Sequence, residues 1–325
     1  MIEFVVVLRM YSATMRKIFS CVSTGLEERT DRMKAINLDD VLINFNHQIR
    51  LNPDQLKAWF VERPSSPRSA LGRWLRAQKK QTTAQKIIFI GHRGSGKSTE
   101  LAKLAEELQD EFLIVQLDVL ESTGRTDLAL EDLMLVLFTR VFRKGSDEGW
   151  IQPPLTAQLS DRWQQLYNWF TRVVAGLTLG ASSAEKTFGA SLKLGIVELE
   201  AEVRQSAEAR EAIHRELSFR MTELLGHLNW VIEQAENTGQ KPLLIIIEGL
   251  DKVDLEAARR IFLDRFATLN APQAYIIFTC PSALRYSEDF EQIRQQFSRV
   301  EILPNIPPKQ RSGRLDKEDW KHCAR

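Results

Sequence analysis

Gly91-His92-Arg93-Gly94-Ser95-Gly96-Lys97-Ser98 has the residue types and spacing of a loop that wraps phosphates. Its three glycines can turn successive backbone N–H groups toward an anion, and the lysine adds a point charge. The serine hydroxyl suits a Mg²⁺ that travels with the phosphates. The pattern G-x-x-x-x-G-K-[ST] is short enough to arise by chance, so its flanks decide its meaning. Residues 86–90 (Lys-Ile-Ile-Phe-Ile) read as a buried strand, and Lys97–Leu108 has helical spacing, so strand, glycine turn and helix follow in the required order. A helix that begins near Lys97 also turns its positive dipole end toward the loop. The candidate nucleotide contacts are Gly91, His92, Arg93, Gly94, Ser95, Gly96, Lys97, Ser98 and, one residue on, Thr99.

A Mg²⁺ held by Ser98 from one side needs an acid from the other. Residues 243–247 make a fully apolar strand that ends in Glu248-Gly249-Leu250-Asp251, so Glu248 is the candidate second metal ligand. Asp251, three residues on, is placed to orient an attacking water or to support Glu248. A later strand, residues 274–280, closes on Thr279, a candidate sensor of the γ-phosphate or of the lytic water. An acidic turn or a threonine at a strand end is ordinary by itself. Pairing with the upstream glycine loop is what gives these residues a chemical reading.

Positioning them requires a sheet. Strand-like residues 111–119 and helical residues 128–142 follow the loop helix, and this β-α-β-α order implies parallel strands with helices on both faces and a ligand at their carboxyl ends. The alternation breaks between Gly145 and Gly239. Helices are expected there over residues 155–174, rich in Trp163, Tyr167, Trp169 and Phe170, and over 206–237; residues 187–197 alternate as an extended segment. A capped helix over 254–269, a helix over 288–297 and a fifth strand over 299–303 complete the core. Ahead of the loop, residues 38–85 read as short helices, with Leu56, Trp59 and Phe60 as an apolar cluster serving either plain packing or the adenine side of a nucleotide. Residues 62–67 read as a turn-rich link, and 69–79 as a further helix.

Composition narrows the partners. Forty-four Lys and Arg against 43 Asp and Glu give a net charge of +1, so no global field draws the chain to nucleic acid or to an acidic membrane. Cys21, Cys280 and Cys323 lack metal-binding or disulfide spacing, which fits a reducing, cytoplasmic setting. The apolar run at residues 2–8 is far shorter than the ~18 residues of a membrane span. Helical periodicity begins only after Met33, so residues 1–32 read as disordered or artefactual, with translation starting at Met33. The expected organisation is a poorly ordered extension over 1–37, a helical segment over 38–85, the main domain over 86–303 with its helical insertion at about 145–240, and a tail over 304–325.

With the loop at Gly91 to Ser98, the acid in Leu-Leu-Ile-Ile-Ile-Glu-Gly-Leu-Asp-Lys and the strand closing on Thr279, residues 38–303 resemble bacterial P-loop ATPases of the AAA and STAND groups. The resemblance implies a three-layer α/β sandwich with a five-stranded parallel sheet in order 5-1-4-3-2, and ATP with Mg²⁺ as ligands. Two departures stand out: the family usually has Asp where Glu248 stands, and it continues into a helical lid with a sensor arginine, which residues 304–325 do not supply. A truncated product, or a lid supplied by another chain, would account for the second. Two functions fit: an ATP-hydrolysing conformational switch, working with a protein partner or as a homo-oligomer, and a nucleotide-binding regulatory or scaffold module without useful turnover. A small-molecule kinase fits less well, because the insertion shows no substrate-binding pattern. Arg294 and Arg299, beside the fifth strand, are candidates for an arginine offered to a neighbouring subunit.

Overall fold

The computed structural model describes residues 56–57, 60–63, 65–79, 84–124, 126–152, 161–175, 195–196, 199, 201 and 206–305. The expectations for residues 1–55, for Trp59, for 187–194 and for the tail after 305 lie outside the described residues. The chain divides into two compact units. One takes in Gly94–Lys103 together with the described residues before Pro67 and after Leu303; the other is Pro67–Arg93 with Leu104–Leu303.

The larger unit is an α/β structure around five parallel strands: β1 (Lys86–Gly91), β2 (Leu113–Asp118), β3 (Leu243–Glu248), β4 (Tyr275–Cys280) and β5 (Arg299–Leu303). Their order is β2-β3-β4-β1-β5, which read from the opposite edge is β5-β1-β4-β3-β2. Every residue of β1, β3 and β4 is buried, which explains why these strands are continuous apolar runs: a parallel sheet covered on both faces has no solvent side on which polar residues could alternate. Each fully buried Ile, Leu or Phe contributes roughly 1.5–3 kcal/mol. At the amino end of β1, buried Lys86 donates from Nζ to the carbonyls of Pro272 (2.8 Å) and Ala274 (3.0 Å), and burial pushes its ammonium down to about 8.

Helix α1 (Arg68–Gln78) precedes β1, and α2 (Lys97–Leu108) follows it. Buried Arg68 on α1 is ion-paired with Glu107. After β2 comes the single turn α3 (Val119–Thr123), capped by Asp118, and then α4 (Leu130–Asp147). The helical insertion consists of α5 (Asp161–Ala175) and the long α6 (Ala207–Gly239). Its expected aromatics form a packed cluster: Trp163 stands edge-on to Trp230 with ring centroids 4.8 Å apart, and Phe138 of α4 edge-on to Trp169 at 5.5 Å. Gly195 and Ile196, the described end of the expected extended segment, are helical instead. Helix α6 bends at Arg220 (φ −119°, ψ 19°), where the Ser218 hydroxyl donates to the His214 carbonyl one turn back, a bond that loosens the backbone ladder.

The helix expected over 254–269 is broken into α7 (Leu255–Arg259), a π-helical turn (Arg260–Asp264) and α8 (Phe266–Asn270). The Arg265 N–H donates to the Arg260 carbonyl, five residues back. This wider turn accompanies burial of both Ile261 and Phe262, the latter within 6.0 Å of Phe278 and of Phe297. Helix α9 (Phe290–Gln296) then leads into β5. Among the described residues, no helix is long and apolar enough to cross a membrane.

One tie between α4 and α6 gives a pH-dependent stability. His214 Nε2 lies 2.6 Å from Oδ1 of buried Asp132, whose Oδ2 accepts the Ala129 N–H at the start of α4. The hydrogen bond to Asp132 is the main force raising the His214 pKa; burial opposes it, the Asp132 and Glu131 charges add to it, and Arg210 works against it. Because the folded pKa lies above the unfolded one, this stabilisation is complete below about pH 6.5 and disappears as pH rises through the folded value. His214→Gln therefore lowers the unfolding free energy measured in urea most at pH 5.5, by at most about 1 kcal/mol for a partly exposed pair, and the gap narrows as pH rises through the folded value. A gap that stays constant over that range removes the charge from the account.

Candidate functional site

After β1 ends at Gly91, the chain enters the smaller unit at Gly94 (φ 79°), turns again through Gly96 (φ 86°) and begins α2 at Lys97. Both glycines sit in the left-handed region, where a side chain would be strained. A Cβ at Gly94 would meet nothing within 4 Å, so that side of the turn is open. Lys97 is buried although it is a lysine, and Ser98 beside it is exposed. Ser95 is also buried, and its Oγ has no hydrogen-bond partner among the described residues. The first hydrogen bond of α2 runs from Glu100 N–H to the Gly96 carbonyl (3.0 Å), so the N–H groups of Lys97, Ser98 and Thr99 are not used within the helix. Open backbone, a buried cation and an orphaned hydroxyl within one turn suit an anion.

A side chain that the sequence did not single out lies against this turn. The Arg63 guanidinium sits where a Cβ on Gly96 would be, 2.7 Å from its Nη2. Its Nη1 is buried without a hydrogen-bond partner among the described residues, and its Nε is 3.9 Å from Oε1 of Glu100. Glu100, 2% exposed, also accepts the Ser66 hydroxyl at 2.8 Å. One turn on, the Lys103 ammonium lies over the Phe60 ring, 5.7 Å from its centroid. Phe60, expected as packing or as an adenine-side residue, is thus in contact with the loop helix.

The larger unit gathers acids at the carboxyl edge of its sheet. Glu248 is buried at the end of β3 and lies in register with Asp118, buried at the end of β2. Register partners on parallel strands point to the same face, so the two carboxylates are neighbours. Asp118 Oδ1 accepts the N–H groups of Leu120 (2.9 Å) and Glu121 (3.1 Å) and abuts Gly249. A Cβ on Gly249 would stand 2.5 Å from that oxygen, and Gly249 has φ 90°, so this turn requires glycine on both counts. Thr279, on the adjacent β4, donates to the Ile247 carbonyl at 3.3 Å, fixing the strand next to Glu248. Asp251 lies on the 3-10 turn Leu250–Lys252. Its charge adds to the burial that pushes the neighbouring Cys280 thiol far above its ordinary range, leaving that cysteine inert.

The topology therefore brings Glu248, Thr279 and Asp251 to one edge of the sheet, the edge from which β1 delivers Gly91. The Arg299 guanidinium stacks on Trp74, 5.4 Å from the ring centroid, and pairs with Glu301. Arg294 is exposed and pairs with Glu291. Asp118 and Arg63 are the two residues that sequence reasoning missed. Among the described residues, no group of three or more His, Cys, Asp and Glu is arranged to hold a metal by itself; a Mg²⁺ that arrives on a nucleotide asks for only one or two carboxylates beside the phosphates.

No family model matches the chain, and no curated protein matches it.

Proposed function

We propose that this protein binds ATP with Mg²⁺ on the turn Gly91 to Thr99 and works as a nucleotide-dependent conformational switch of the kind found in AAA and STAND ATPases. The observation that carries the reading is the turn itself: two left-handed glycines, buried Lys97, a Ser95 hydroxyl with no hydrogen-bond partner among the described residues, and a helix start, all within residues 94–98. In this reading Lys97 would balance the phosphate charge, and Ser98 and Glu248 are the candidate residues to hold Mg²⁺, which would supply charge neutralisation at the phosphates. Asp251 and Thr279 serve the water side, and a protein partner or further copies of the chain receive the conformational signal.

A second reading, binding without useful turnover, draws on two observations. The Thr279 hydroxyl is engaged with Ile247, and the arginines beside β5 are engaged within their own chain. Titration with a fluorescent ATP analogue and measured phosphate release, across a wide dilution series with light scattering, separate the readings. The switch reading expects saturable, Mg²⁺-dependent binding. It also expects turnover near the unassisted scale of roughly 10⁻⁴ to 10⁻² per second when dilute, rising steeply as copies associate. Binding with no phosphate release at any concentration leaves the second reading, and absence of binding defeats both.

A further inference from the structure

Ser66, Arg63 and Phe60 each reach from the segment before Pro67 onto the first two turns of α2, and two of these three contacts end on one buried carboxylate, Glu100. A carboxylate that is 2% exposed costs free energy unless a cation and donors attend it. The Arg63 pair is a loose one, at 3.9 Å and through Nε alone. The rest of that guanidinium is directed elsewhere: Nη2 lies against Gly96, and Nη1 is buried with no hydrogen-bond partner among the described residues. A planar group with five N–H donors, held by one weak contact beside an anion-binding turn, is poised to serve a second anion.

We propose that Glu100 is an internal competitor for Arg63, and that arrival of a phosphate group at the turn draws Arg63 from Glu100 and loosens the segment around residues 60–66 from α2. The inference rests on the nucleotide-binding reading and adds its regulation: the loop's occupancy is reported by the segment ahead of the domain. Without nucleotide, Glu100 and Arg63 neutralise each other beside the turn. With nucleotide, Glu100 and the phosphate compete for the Arg63 guanidinium, and the 3.9 Å tie yields.

The test is a double-mutant cycle on the full chain, read as affinity for a fluorescent ATP analogue with Mg²⁺. Arg63→Ala weakens binding about tenfold, the loss of one charge-assisted contact. Glu100→Gln, which keeps the acceptor for Ser66, tightens binding about 3- to 10-fold by removing the competitor. In the double variant the gain vanishes and affinity matches Arg63→Ala. Hydrogen exchange over residues 56–66 of the unaltered chain rises when ATP is added, a readout that does not depend on any variant folding. If the unaltered chain binds no nucleotide, the functional reading falls and this inference with it. If it binds, but Glu100→Gln weakens binding or leaves it unchanged, or the gain persists without Arg63, or exchange over 56–66 is unaltered by ATP, this inference alone is overturned.

Discussion

Lys97→Ala leaves a folded chain whose affinity for ATP is at least about 100-fold weaker, the cost of removing a charged contact from a dry site at roughly 3 kcal/mol. Lys97 begins α2 and is 6% exposed, so its ammonium acts in a medium that screens it poorly. The N–H groups of the turn carry only partial charges, and they cannot balance a triphosphate without it. Titration with a fluorescent ATP analogue measures the loss, and an unfolding midpoint within a few degrees of the unaltered chain shows that the fold survived. Unchanged affinity in a folded variant would mean that the turn is not the nucleotide site.

Glu248→Gln separates binding from turnover. The amide fills the same space at the end of β3 but holds a divalent cation weakly, so ATP affinity stays within about threefold while phosphate release falls by about 100-fold or more. Asp251→Asn has the smaller effect, because Asp251 stands on the 3-10 turn beyond the strand, whereas Glu248 is buried at the strand end between the chains of Asp118 and Thr279. Single-turnover phosphate release at saturating Mg²⁺ ranks the two variants. The reverse ranking moves the metal role to Asp251, and equal, negligible effects favour binding without turnover.

The parts of the candidate site that lie close together in sequence were legible, and those joined by distant pairing were not. The glycine turn announces itself in eight consecutive residues, and the apolar runs of β1, β3 and β4 are readable because a sheet covered on both faces demands them. Asp118 was invisible for a different reason. It ends a strand without any local mark, and its meaning comes only from the register that sets it beside Glu248. Arg63 lies in a link that reads as turn residues, and what distinguishes it is its contact with Gly96, more than thirty residues along the chain. The π-helical turn at Arg260–Asp264 escaped because Ile261 and Phe262 fit an ordinary helix as apolar neighbours; burial of both against Phe278 and Phe297 is a tertiary demand.

The strand order also sets a timetable. Lys86 and the Ala274 carbonyl it grips are 188 residues apart in sequence, and β1 borders only β4 and β5, the last two strands to be made. At roughly 5–20 residues per second, a nascent chain carries β1 with both edges open for about 10–40 seconds, while β2 and β3 can already pair. Over that interval four consecutive apolar residues, Ile87 to Ile90, are a template for foreign strands. β4 joins the sheet by inserting between β3 and β1, so a chain that stops before residue 275 keeps both edges of β1 open and sticky.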